Sequence, residues 1–263
     1  LISRVFQGRH LLRPDADTND IIFGVIGRAQ SLFKSVDLYA FAFMSNHFHA
    51  MAKGPAHELS AFIGYIKREI SRRLGARPDI NWPGTMWHEY IATALPTPES
   101  QIRCLGYILA QGTKEHLVER PQDWPGAQCV KALMLGRELH GMWLDSTSYL
   151  RARQAEQRKL RPGPVKRANY LQRYQVTLTA LPPWSGLSVA EQRSLISKMV
   201  QTIVEEARSE RTKHEIKVIG AKKVVKVSTE RRRSLRRLPW FESRRRMICW
   251  ANADDAQVQQ YIF

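Results

Sequence analysis

Residues 36–53, with the sequence VDLYAFAFMSNHFHAMAK, decide the fold. The segment 36–44 is mostly β-branched, aromatic or apolar, which is typical of a buried strand. The triplet SNH then predicts a tight turn or break, and FHAMAK continues as a second strand. Side chains alternate between the two faces of a strand, so we expect His47 and His49 to share one face while Phe48 points the other way, into the core.

Strands and helices are predicted on both sides of this segment. Apolar periodicity and turn residues predict further strands in LISRVFQGRHLL (1–12) and MWHEYIATAL (86–95), and helices over 15–34, 57–75 and 98 to about 118. Thr18 is the predicted N-cap of the first helix, and Thr97, followed by Pro98, that of the third. The order β-α-β-β-α-β-α predicts an α+β fold with an antiparallel or mixed central sheet and helices packed against it.

The composition of the chain favours a folded protein that binds a polyanion. Of 263 residues 43% are hydrophobic, which allows a core, and 41 Lys and Arg against 24 Asp and Glu give a formal net charge of +17. Such a charge favours nucleic acid or an anionic surface as partner. A run of about 20 apolar residues, as a membrane-spanning helix needs, is absent from the sequence, so no membrane partner is expected. Three widely spaced cysteines favour a reducing compartment over a disulfide framework.

After about residue 150 the sequence becomes more polar and basic. We predict a linker and helical connection over 131–170 and a basic, mostly helical nucleic-acid-binding extension over 171–263. Within the extension, Ser188 and Glu191 have the spacing of a capping box at a helix start. Fourteen Lys and Arg lie between residues 211 and 246. The predicted DNA-binding residues there, which alternate with Trp and Phe, are Arg231, Arg232, Arg233, Arg236, Arg237, Arg244, Arg245 and Arg246.

The two histidines are candidates for metal ligands, with a third ligand expected from the helix 98–118. Two imidazoles on one face are a start for a divalent metal site. Tyr107 and Gln111, four residues apart, stack on one side of that helix, where the amide oxygen is a ligand for Mg²⁺ or Mn²⁺ and the phenol a nucleophile. The alternatives are two structural histidines, a half-buried tyrosine on an amphipathic helix and a solvated glutamine.

Several segments together resemble the REP-associated tyrosine transposases, a group of the single-tyrosine HUH transposases. FAFMSNHFHAMAKG is similar to the strand that carries their two histidines, and LSAFIGYIKREISRRLG to the helix that follows it. MWHEYIATAL resembles their Trp-containing strand, and LGYILAQGTKEHLVERPQDWPGA their helix with YI and the loop that reaches DWP. The resemblance covers about residues 1–130 and implies a ferredoxin-like βαββαβ nuclease domain over that range.

The resemblance also implies the chemistry. His47, His49 and Gln111 match the ligands of Mg²⁺ or Mn²⁺, and Tyr107 matches the nucleophile that forms a 5′-phosphotyrosine with single-stranded or hairpin DNA. Lys114, one helical turn beyond Tyr107 and Gln111, is a further candidate for phosphate contact. The resemblance implies a bacterial, cytoplasmic and nucleoid-associated protein. Members of the family commonly act as dimers, so a homodimer is a possible state of this chain.

Two other functions fit the same residues. Many relatives have Asn-Pro where this chain has Gln111-Gly112, which leaves room for a DNA-binding protein without catalysis. The second alternative is a metal-dependent phosphoesterase, in which water attacks RNA or a nucleotide. Tyr65 and Tyr90 are the competing tyrosines, and we expect them to pack or to line the DNA path.

Overall fold

The computed structural model describes residues 1–82, 84–159 and 163–229. Its strands are β1 (Ile2–Val5), β2 (Asp37–Phe43), β3 (His47–Lys53), β4 (Trp87–Ile91), β5 (Leu139–Leu144) and β6 (Leu171–Val176). Its helices are α1 (Ala16–Leu32), α2 (Ala56–Gly75), α3 (Pro98–Leu109), α4 (Gln111–Lys114), α5 (Val130–Leu135), α6 (Ser146–Gln157), α7 (Val189–His214) and α8 (Ala221–Val224).

The central sheet has four antiparallel strands in the order β2-β3-β1-β4. The prediction of an α+β fold with an antiparallel sheet flanked by helices is therefore confirmed. Phe48 is 1% exposed and stacks on Phe43 at 4.8 Å between ring centroids. Phe23 of α1 packs on Phe41 two residues before Phe43, and Trp87 beside Phe48 donates a hydrogen bond to α2. Helices α1 and α2 thus cover the Phe48 face.

The N-cap of the first helix lies three residues before the predicted one. Asp15, not Thr18, is the N-cap: its carboxylate accepts the backbone N–H of Thr18 at 2.7 Å. Thr18 lies inside the first turn and is 1% exposed. Asp15 is a favoured N-cap residue, and Arg77 of the loop after α2 binds the same carboxylate at 2.8 Å.

The third helix starts as predicted and ends earlier. Thr97 caps it in a capping box with Ser100, but α3 ends at Leu109 and the short α4 follows, so a helix continuous to Val118 is wrong. The chain reverses through His116, whose φ is +54°, and the N–H of Val118 returns to the carbonyl of Gly112. A Cβ at Gly112 would lie 3.1 Å from Val118 and 3.2 Å from Trp124, so a larger residue there would have to displace one of these side chains slightly.

The chain beyond residue 130 packs on the sheet layer. Strands β5 and β6 form an antiparallel pair that the sequence analysis does not predict, and this pair lies against α1. Helix α7 begins with the predicted Ser188–Glu191 capping box and packs on α3, α4 and α5. The common core includes Val176 and Val200. The predicted domain boundaries at residues 130 and 170 stay a prediction. Residues on both sides of each boundary contribute to the same core.

In the part of the chain that the structure describes, no helix is both long enough and apolar enough to cross a membrane.

Candidate active site

The two histidines lie side by side on the face of β3 opposite Phe48. Their ring centroids are 5.0 Å apart and the rings are nearly perpendicular, at 88°. His47 is half-buried, and its Nδ1 lies 2.8 Å from the side-chain oxygen of Asn46. An amide oxygen can only accept, so with this amide orientation His47 carries its proton on Nδ1. Its Nε2 then keeps the lone pair that a metal ligand needs.

His49 is kept neutral by its surroundings. The residue is 6% exposed. The pKa of His49 is lowered from 6.5 to about 2, mainly by burial, and the neighbouring His47 and the ammonium of Lys114 act in the same direction. Because a metal binds only the neutral form of imidazole, His49 needs to lose no proton before it coordinates a cation at neutral pH.

Tyr107 completes a row of three rings. It projects from the last turn of α3, and its ring centroid lies 5.2 Å from that of His49 at 83° between planes. The Nζ of Lys114 lies 4.1 Å from the centroid of the same phenol ring. The structure therefore brings His47, His49, Tyr107 and Lys114 together, from three separate parts of the sequence.

Gln111 lies one turn after Tyr107 and is buried, with 2% of its surface exposed. Its side-chain nitrogen donates to the backbone carbonyl of Tyr107 at 3.0 Å. This bond holds the side chain of Gln111 against the end of α3. The amide oxygen is then the side-chain atom that could bind a cation. The alternative of a solvated glutamine does not describe this residue.

The donor set predicted from the sequence joins two kinds of ligand that a divalent cation can bind. Within the described residues, no three His, Cys, Asp or Glu side chains form a group that could hold a metal. The set predicted from the sequence adds a carboxamide oxygen, from Gln111, to the two imidazoles. The amide oxygen suits Mg²⁺ or Mn²⁺, while imidazole nitrogen suits transition metals.

Comparison of the chain with protein-family models, with curated proteins and with solved structures found no match.

The competing tyrosines lie elsewhere. Tyr90 donates from its hydroxyl to Ser60 of α2, and Tyr65, on α2 itself, packs on Phe33 at the end of α1. Both belong to the α2 side of the sheet, away from the histidine face. The predicted DNA-binding arginines between residues 231 and 246 lie outside the described residues.

Asn46 belongs to the candidate site, although the sequence patterns did not predict it. Its side-chain oxygen orients His47, while its side-chain nitrogen donates to the carbonyl of Gly8 at 3.4 Å and its backbone carbonyl accepts from Val5 at 2.7 Å. The signal available in the sequence was an amide next to a candidate ligand, since an imidazole ligand commonly has a second hydrogen-bonding partner on its other nitrogen.

Proposed function

We propose that this protein cleaves and rejoins single-stranded or hairpin DNA by transesterification, with Tyr107 as the nucleophile. The observation that carries the proposal is the packing of the Tyr107 ring on His49, beside His47 and under the ammonium of Lys114. A phenol, a pair of imidazoles and a cation in one place suit a phosphodiester, which has an electrophilic phosphorus and carries a negative charge.

Two further features support the proposal. The strand order β2-β3-β1-β4, with the connections β-α-β-β-α-β, is the arrangement of a ferredoxin-like sheet, as in the HUH transposases that the sequence resembles. The strongly basic composition suits a nucleic-acid substrate.

The proposed metal ligands are His47, His49 and Gln111, with Mg²⁺ or Mn²⁺ as the cation. Such a cation, when bound, supplies Lewis-acid polarisation of a phosphate oxygen. The protein's own part is to present the three donor atoms. The hydrogen bond from His47 to Asn46 fixes one ligand, burial of His49 keeps the second neutral, and the bond from Gln111 to Tyr107 fixes the third.

The proposed chemical step conserves bonds. The phenol oxygen of Tyr107, having lost its proton, attacks phosphorus, so that an O–P bond to Tyr107 forms while the P–O3′ bond breaks. The leaving 3′ oxygen takes up a proton, and the 5′ end stays attached to the protein. A second 3′-hydroxyl reverses the step and joins strands without an energy source. Lys114 would hold a phosphate oxygen beside the phenol.

Capture of the covalent intermediate tests the proposal. The chain is incubated with Mn²⁺ and a panel of hairpin and single-stranded oligonucleotides, labelled at either the 3′ or the 5′ end, and separated under denaturing conditions. We expect only the 3′ label to migrate with the protein, because attack by Tyr107 retains the 5′-phosphate fragment. Chelation of the metal should prevent the adduct.

Three tyrosine variants provide the control. Tyr107→Phe should abolish the adduct, while Tyr65→Phe and Tyr90→Phe should retain it. An adduct that persists in Tyr107→Phe would reject this nucleophile. Cleavage without any adduct would instead support the metal-dependent phosphoesterase, and binding of the whole panel without cleavage would support the non-catalytic DNA-binding protein.

A further inference from the structure

A cation that the proposed chemistry does not use lies next to the histidine pair. In the sheet register, Arg4 of β1 is directly opposite His47, and Ile2 is directly opposite His49. Side chains that are directly opposite in an antiparallel pair share a face, with Cβ atoms about 4.5–5.5 Å apart. Arg4 therefore lies on the histidine face, on the side of the pair that is remote from Tyr107.

The guanidinium of Arg4 is available to a ligand. Arg4 is exposed, and among the described residues no carboxylate forms an ion pair with it. The carboxylate nearest to Arg4 in register is that of Glu89, in the bulge of β4. Burial lowers the pKa of Lys67 of α2, and Glu89 lies close enough to that lysine to oppose the shift. Other arginines in the same sheet layer, such as Arg77 and Arg73, are bound by Asp or Glu.

The face beyond Arg4 is apolar and open. Ile91 of the terminal strand β4 is directly opposite Ile2, so the row His49–Ile2–Ile91 runs across three strands on one face. Ile91 is 66% exposed. Helix α3 packs on β2 and β3, which leaves the β1–β4 half of this face to solvent in the described structure.

We propose that Arg4 and the Ile2–Ile91 shelf form a subsite for the nucleotide next to the scissile phosphate, with Arg4 bound to its phosphate and the shelf in contact with its base. This inference rests on the proposed function for the location of the scissile phosphate. Lys114 and Arg4 lie on opposite sides of the histidine pair, so an extended strand that contacts both crosses the pair. A backbone with one negative charge per nucleotide complements two cations separated in this way, and a base has an apolar face for the shelf.

Binding measurements test the subsite independently of catalysis. In the Tyr107→Phe background, with fluorescein-labelled oligo(dT) as probe, we expect Arg4→Gln to weaken binding about fivefold at low salt. We also expect it to reduce the slope of log affinity against log salt by about 0.7, the value for one lost phosphate contact on a single strand. Arg4→Lys should retain most of the slope.

Arg173→Gln is the matched control, since Arg173 is an exposed arginine on β6, outside the central sheet. Equal slopes for Arg4→Gln and Arg173→Gln, with both variants folded by circular dichroism, would overturn the proposal, and so would a chain that does not bind oligo(dT). These results do not depend on cleavage, so a failed adduct assay would leave this test intact.

Two probes test the position of the phosphate and of the base. Once the scissile phosphate is mapped, a methylphosphonate at the neighbouring phosphate should lower cleavage as much as Arg4→Gln does, and the two changes together should lower it no further. An abasic nucleotide at that position should weaken binding by the same factor as Ile91→Ser, and the two changes together should weaken it no further. Additive effects in both pairs would refute the assignment.

Discussion

Substitution of Gly24 by alanine should destabilise the protein, although the same change in the middle of a helix normally stabilises it. A Cβ at Gly24 of α1 would lie 2.3 Å from the carbonyl oxygen of Met142 in β5 and 2.5 Å from its carbonyl carbon. The helix and the strand must separate by at least about 0.7 Å, and neither atom belongs to a side chain that can rotate away.

The two opposing effects can be estimated. Overpacking of this kind costs about 3 kcal/mol, at the upper end of the usual range. Alanine is better than glycine in a helix by about 1 kcal/mol. The free energy of unfolding should therefore fall by about 2 kcal/mol, which corresponds to a decrease in Tm of about 4–8 °C for a chain of this size.

Gly64 is the matched control, since it lies in the interior of α2, is exposed, and a Cβ there meets no atom within 4 Å. Gly64→Ala should raise Tm by about 2–4 °C. Thermal unfolding followed by circular dichroism measures both variants. If Gly24→Ala raises Tm as Gly64→Ala does, then β5 does not pack on α1, and residues 131–176 do not belong to the layer described here.

Three other predictions concern charge, thiol reactivity and the metal. Asp15→Asn keeps an N-cap oxygen but removes the charge that binds Arg77. Burial raises the pKa of Asp15, but the hydrogen bonds from Arg77 and Thr18 outweigh it and leave this pKa below its ordinary value, so the stabilisation present above pH about 4 is lost on acidification. The wild-type free energy of unfolding should thus fall more steeply than that of Asp15→Asn between about pH 5 and pH 2, as urea titrations would show. Burial raises the pKa of the Cys129 thiol to about 12, so iodoacetamide at about pH 8 should modify it only after unfolding, and modification in the native protein, detected by peptide mass spectrometry, would contradict its placement in the core. Calorimetric titration of the Tyr107→Phe protein should detect Mn²⁺ binding that His49→Ala abolishes and the exposed His88→Ala preserves; equal binding by both variants would exclude His49 as a ligand.

Local patterns were sufficient to predict the hairpin of the central sheet and its two faces. The alternation in HFHAMAK predicted that His47 and His49 oppose Phe48, and the register confirms it. The cap at Thr97 was predictable because it needs only adjacent residues, whereas Asp15, the cap of α1, is also bound by Arg77, which is distant in sequence. The antiparallel pair of β5 and β6 was not predicted, because a helix separates the two strands in sequence and no short turn joins them. Both strands pack on α1, which is distant in sequence.

The assembly of the site depended on information that no local pattern contains. The spacing of Tyr107 and Gln111 specifies a common side of α3, but which face of the sheet that side meets depends on how the helix packs. Arg4 gives no signal in the sequence, since its relation to His47 exists only in the register of β1 against β3.

The two faces of the sheet differ in how far helices cover them, and this difference explains why the candidate site residues lie together. A sheet of this size must bury one face for stability, and here the Phe48 face is filled by α1 and α2. Strand alternation then gives every second residue to the other face, where α3 covers only part of the surface. Polar and charged side chains such as His47 and Arg4 can remain there, because they keep access to water or to a ligand. In this arrangement a candidate active site needs no separate cavity, since the half-covered face of the sheet already brings residues from β1, β3 and α3 to the same place.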